Sequence, residues 1–161
     1  MTTGFGDERL LFPATQRNRV PIGDVLADQL PSTGLILEIA SGSGEHGVTF
    51  QKRFPDLIWQ CSDPDPEHCR SIDAWIRHEQ LTQTMPPALQ MDVRDANLAK
   101  QLGAPAQAVV AINLLHISAW ECSVALLAQA ATLLPSGGKL CIYGPFSVDG
   151  RHVSDSNRSF D

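Results

Sequence analysis

Short apolar runs alternate with longer segments of mixed polarity along almost the whole chain. The runs LILEI (35–39), LIWQCS (57–62), ALQMDV (88–93), QAVVAIN (107–113) and KLCIYG (139–144) read as five strands. QAVVAIN is nearly continuous in apolar residues, as expected of a strand covered on both faces. The segments between the runs read as helices over 21–30, 45–53, 66–79, 96–102 and 120–134. Pro21 suits the first position of its helix because its φ is already helical. In the last helix Val124, Leu127, Ala131 and Leu134 are spaced for one apolar face. Strands alternating with helices predict an α/β fold: a doubly wound parallel sheet with right-handed crossovers. Residues 1–20 read as irregular and polar, and the stretch after 146 is polar without a closing element.

A glycine-rich turn, LEIASGSGEHG (37–47), follows the first strand and opens a helix. Gly42, Gly44 and Gly47 match GxGxxG, and in that setting backbone N–H groups and the positive helix end face one ligand. Alone the motif is weak, since glycine turns after strands are common. Asp63, ending the second strand, is placed to accept both ribose hydroxyls of an adenosine, or to cap the next helix. Neither feature separates a dinucleotide from S-adenosylmethionine. Glu38 does. A carboxylate in a central strand costs several kcal/mol unless paired. S-adenosylmethionine brings an ammonium to that position, whereas a dinucleotide brings a pyrophosphate that Glu38 repels. A partner within the protein, such as Arg19, is the structural alternative.

The series Glu38-x-Ala40-x-Gly42-x-Gly44 resembles motif I of the class I S-adenosylmethionine-dependent methyltransferases, with Ala40 in place of the usual first glycine. Asp92-Val93 resembles the family's adenine-contact motif, and Asn113-Leu114-Leu115-His116 stands where the family lines the methyl-transfer centre. More narrowly, RNRVPI, LEIASGSGEHG, SDPD, NLLHISAW and YGPF together resemble the small methyltransferase-like 26 family, long catalogued as a domain of unknown function. The resemblance covers nearly the whole chain. It implies a single S-adenosylmethionine-binding domain over 1–161. It also implies a Rossmann-like sheet lacking its final antiparallel hairpin, so that the chain reads as C-terminally incomplete.

On this reading Arg19, Glu38, Ala40, Ser41, Gly42, Gly44, Gly47, Asp63, Pro64, Asp92, Val93, Asn113 and Leu114 form the cofactor site for S-adenosyl-L-methionine. Arg19 suits the methionine carboxylate. Asn113 and His116 are the candidates at the reacting methyl, with His116 able to act as base or to cap the following helix. Trp120 and Tyr143 can wall an acceptor pocket, although core packing is the simpler role for each. His46 reads as a solvent-facing residue. Methyl transfer from a sulfonium requires positioning more than a fixed triad, and none is visible.

The chain has 161 residues, enough for one domain, with a formal charge of −6 and only three lysines. Without a basic stripe, nucleic acid is not an expected partner. No run has the length of a membrane span and the N-terminus is not a secretory signal. Cys61, Cys69, Cys122 and Cys141 fit no zinc spacing, so no metal is expected and a reducing, cytoplasmic setting follows. The expected function is methylation of a small-molecule or protein acceptor. Its rivals are a non-catalytic module of the same fold and an NAD-dependent oxidoreductase. The edge of the last strand (139–144) is expected to be covered by a second copy, as a homodimer, or by the N-terminal segment.

Overall fold

The computed structural model describes residues 6–158. Its elements run α1 (Pro13–Gln29), β1 (Gly34–Ile39), α2 (Glu45–Arg53), β2 (Leu57–Asp63), α3 (Pro66–His78), β3 (Leu89–Gln90), a 3₁₀ turn (Leu98–Gln101), β4 (Ala106–Ile112), α4 (Leu114–Ile117), α5 (Trp120–Leu133), β5 (Lys139–Tyr143), β6 (Ser147–Val148), β7 (Arg151–His152) and α6 (Asp155–Arg158). The first five strands make one sheet in the order β3-β2-β1-β4-β5, parallel throughout. The doubly wound α/β architecture read from the sequence is therefore present.

Alternation along β1 explains the layers. Ile36 faces a core with Trp59 and Cys61 of β2, Ile22 and Leu26 of α1, Val48 and Phe50 of α2, and Ile72 and Ile76 of α3. Leu35, Leu37 and Ile39 face the other core, with Val109 and Ala111 of β4, Leu98, and Cys122 and Leu126 of α5. Both faces of β1 are closed, so the strand tolerates no unpaired polar group. Glu38 nevertheless lies in its middle, in register with Cys61 on one side and Val110 on the other.

Several local expectations change. α1 begins at Pro13, not Pro21, and carries Pro21 in its interior. Asn18 and Arg19 therefore sit on a helix rather than before one. β3 shrinks to two residues and the 96–102 helix to the 3₁₀ turn. The face of α5 is misassigned by sequence spacing. Cys122, Ser123, Leu126 and Ala130 are the buried residues, while Trp120, Val124 and Leu127 lie in solvent. Helical spacing reports two apolar stripes on this Ala/Leu-rich helix and cannot say which one meets the sheet. An antiparallel hairpin, β6–β7, does follow β5, but as a separate two-stranded sheet. Among the described residues β5 pairs with β4 alone, and Arg9 and Leu10 pack against Ser71 and Trp75 of α3.

Candidate functional site: a crevice at the carboxyl ends of β1 to β4

The turn after β1 is held by its own backbone. Ala40, Gly42 and Gly44 all have positive φ, at 54°, 60° and 95°. Glycine accepts this region freely, whereas alanine there costs about 1–2 kcal/mol, so Ala40 stands as a local strain at the turn. A Cβ on Gly44 would meet the backbone Cα of Ile72 at 2.8 Å. The third glycine has a different reason. Gly47 lets α2 pass over β2 so closely that a Cβ would overlap Cys61 Sγ.

Asp63 ties the turn to the next crossover. Its Oδ2 accepts from the Gly42 N–H at 2.9 Å. Its Oδ1 accepts from the Asp65 N–H at 3.0 Å and lies 3.0 Å from His68 Nδ1. Asp63 is not the helix cap; Asp65 caps α3 by accepting from the Glu67 N–H. Asp92 is gripped through both oxygens by Arg94, at 2.9 and 2.6 Å, and the guanidinium holds its carboxyl below the usual range. Nothing in the spacing of the sequence pointed to Arg94.

Between these groups lies a crevice of about 270 Å³. Ala40, Gly42, Asp63, Pro64, Asp92, Val93 and Leu114, all assigned from the sequence, line it together. Phe12, His68, Met91 and Arg94 line it too and were not foreseen. Phe12 lies in the stretch read as irregular, and no motif of the sequence includes His68. A second cavity of about 250 Å³ runs between α1 and β5, past Ile22, Val25 and Tyr143. Its walls carry no charged side chain.

The remaining assigned residues stand outside the crevice lining. Glu38 is fully buried, and its Oε2 accepts from Trp59 Nε1–H at 2.7 Å and faces Cys61 Sγ at 3.7 Å. Among the described residues no hydrogen bond reaches Oε1. Burial dominates, and the carboxyl is pushed up to about 7 despite the two donors. Arg19 is not its partner. Ser41 serves the sheet: its Oγ accepts from the Ser62 N–H at 3.1 Å. Asn113 takes a positive φ of 62° and donates its N–H to Tyr143 O at 2.8 Å. His116 does not cap α5; it belongs to α4, its ring edge-on to Phe146 at 4.8 Å. Its Nδ1 is enclosed without a hydrogen-bond partner, beside Gly144.

His46 is buried, not solvent-facing. It lies 2.7 Å from Asn18 Oδ1 and stacks on Phe50. Desolvation and the charge of Arg19 push it down to about 4, so it is neutral near pH 7. Trp120 and Tyr143 are both exposed, so neither is core. Among the described residues no three His, Cys, Asp or Glu side chains cluster as metal ligands. No helix among them is long and apolar enough to cross a membrane.

Fold and crevice together define a doubly wound, Rossmann-like α/β domain. The chain belongs to the family described as "Protein of unknown function (DUF938)", which matches residues 9–161. Among solved structures, it is similar to an O-methyltransferase family protein from Burkholderia thailandensis. The identity is 24%, the TM-score 0.67, and the match covers 89% of this chain and 42% of that one. The S-adenosylmethionine-dependent methyltransferase SibL, in its apo form, matches with a TM-score of 0.74 at 16% identity, over 91% and 40% of the two chains. CalO1, a methyltransferase in calicheamicin biosynthesis solved with S-adenosylhomocysteine bound, matches at 0.68 and 18%, again over 91% and 40%. The chain thus spans about two fifths of the length of these structures.

Proposed function

We propose that this protein binds S-adenosyl-L-methionine in the crevice and transfers its methyl group to a small-molecule or protein acceptor. The observation that carries this reading is the convergence of seven sequence-assigned residues, from four strand ends, on one cavity. Similarity in fold to methyltransferases, one of them bound to S-adenosylhomocysteine, supports it. The finer kinship we propose is with the methyltransferase-like 26 family, on the motifs quoted above.

The residues fit that ligand. Asp63 Oδ2 carries one hydrogen bond and retains acceptor capacity for a ribose hydroxyl. Asp92 faces the adenine edge, and Val93 and Leu114 its flat faces. Glu38 Oε1, without a hydrogen-bond donor among the described residues, suits the ligand's ammonium, and Arg19 its carboxylate. S-adenosylmethionine, when bound, supplies a methyl group activated on a sulfonium. The protein's task is then to orient the acceptor and exclude water. Asn113, at the carboxyl end of β4, orients the acceptor through its amide. His116 takes the acceptor's proton through Nε2, since its Nδ1 is shut in beside Gly144. A cytoplasmic location and association through the β5 edge as a homodimer belong to the same proposal.

Calorimetry with S-adenosylhomocysteine tests it. A carboxyl held near 7 must ionise to pair with an ammonium, so affinity should rise with pH through about 7 and binding should release protons. Glu38→Gln should lose about tenfold or more in affinity, the loss of a charge-assisted bond of ~1.5–3 kcal/mol, along with that pH dependence. Binding of NADH in place of S-adenosylhomocysteine would overturn the reading. Tight binding with no methyl gain in any metabolite or protein extract would reduce it to a non-catalytic module.

A further inference from the structure

The segment before α1 is pinned to the nucleoside turn by buried groups that the assigned site does not use. Glu45, the third residue of the GEHG stretch read backwards from Gly47, is 2% exposed. Its Oε2 accepts from the Phe12 N–H at 2.8 Å and from Ser43 Oγ–H at 2.9 Å. Leu10 is fixed at both backbone groups: its N–H donates to Ser71 Oγ at 2.8 Å, and its carbonyl accepts from Trp75 Nε1–H at 3.0 Å. The Arg9 guanidinium lies over the Trp75 ring, 4.7 Å from its centroid.

The product of this anchoring is the position of one ring. Phe12 stands over Gly42, with Cε2 3.0 Å from where a Cβ on that glycine would lie. It meets His68 edge-on at 5.8 Å, and both line the crevice. Phe12 is 38% exposed, so its burial does not account for the five contacts that hold its backbone and its neighbours. An apolar ring left half open over a glycine turn, next to the carboxylate of Asp63, has the chemistry to pack on a nucleoside.

We propose that Phe12 is a ligand-contact residue that closes the crevice over the nucleoside half of an adenosine-bearing ligand. Glu45 is the positioning residue that holds it there. The inference rests on the cofactor reading above. Two probes separate them: S-adenosylhomocysteine and 5′-methylthioadenosine, which share the nucleoside but not the amino acid. Phe12→Ala should weaken both by the same factor, about tenfold for a lost aromatic contact, and Phe12→Tyr should restore both. Glu38→Gln should weaken only S-adenosylhomocysteine. Glu45→Gln, which leaves the Phe12 ring intact, should weaken both probes alike.

Unchanged affinity in a folded Phe12→Ala protein would overturn the inference and leave the cofactor reading standing. Failure of the unaltered protein to bind either probe removes both. Should Phe12→Ala not fold, hydrogen exchange on the unaltered chain decides. Slower exchange across 9–12 on adding 5′-methylthioadenosine supports the contact, and unchanged exchange there refutes it.

Discussion

The two flanks of the central strand are finished to different degrees. On the β2 side, polar side chains do the locking. Gln51 accepts from the Trp59 N–H and donates to Leu57 O, at 2.8 and 2.7 Å. Ser71 donates to Ser43 O at 2.6 Å, and Asp73 accepts from the Ala88 N–H at 2.8 Å. Beyond β4 the molecule opens. Among the described residues β5 pairs with one strand, and Ile117, Trp120, Val124 and Leu127 put apolar side chains into solvent. Buried bonds with one geometry each hold a backbone to the tolerance that ligand recognition needs. The open flank has apolar area but no such constraint. The crevice takes most of its lining from the locked flank, with Leu114, Ile117, Ser118 and Cys122 closing it from the other side, and the Asn113–His116 end points toward the open one.

The sharpest way to break the contrast is to place the same methyl on both flanks. Gly44→Ala, at φ 95° with the Ile72 backbone 2.8 Å from the new Cβ, should cost about 3 kcal/mol or more. Gly137→Ala, at φ 80° with nothing within 4 Å, should cost about 1 kcal/mol, the conformational term alone. Urea midpoints of the two variants check both values.

Acidity separates the buried groups of the locked flank from one another. Glu38 rises from 4.5 to about 7 in the fold. The unfolded chain releases that proton first, so this contribution is full below 4.5 and is lost as pH climbs toward 7. His46 falls from 6.5 to about 4. The unfolded chain takes up that proton first, so stability is full above 6.5 and is lost as pH drops toward 4. Between 4.5 and 6.5 the two slopes oppose each other. Glu38→Gln should uncover the histidine term, a fall of about 3 kcal/mol from pH 6.5 to 4, measurable by denaturant titration across that range. A profile as flat as that of the unaltered protein would show that the two groups do not offset each other.

The smallest effects belong to the open flank. Trp120→Gln and Leu127→Gln should each change stability by less than about 0.5 kcal/mol. Leu126→Ala, one position away but facing the core, should cost about 2–5 kcal/mol. Equal losses at positions 126 and 127 would mean that the outer stripe of α5 is covered in solution.

Much of the crevice was legible because its residues sit at strand ends, where short-range rules apply. Gly42 and Gly44 announce positive φ, and Asp63 and Asp92 end apolar runs. Residues that act across the chain gave no such signal. Arg94 grips Asp92 from two positions away with no periodicity to mark it. Glu45 holds Phe12 across 33 residues. The partner of Glu38 proved to be an indole on the neighbouring strand, which a search for opposite charge passes over.

By itself the sequence determined the order of strands and helices, the turn after the first strand and the set of carboxylates at the strand ends. Each of these follows from local backbone preference or from short, nearly continuous apolar runs. Only the tertiary structure decided which stripe of α5 is buried, that His46 is held neutral, and that residues 9–12 wrap back over Gly42. Those outcomes depend on which surfaces meet and how much water they exclude, and desolvation is a property of the assembled layers that no segment carries alone.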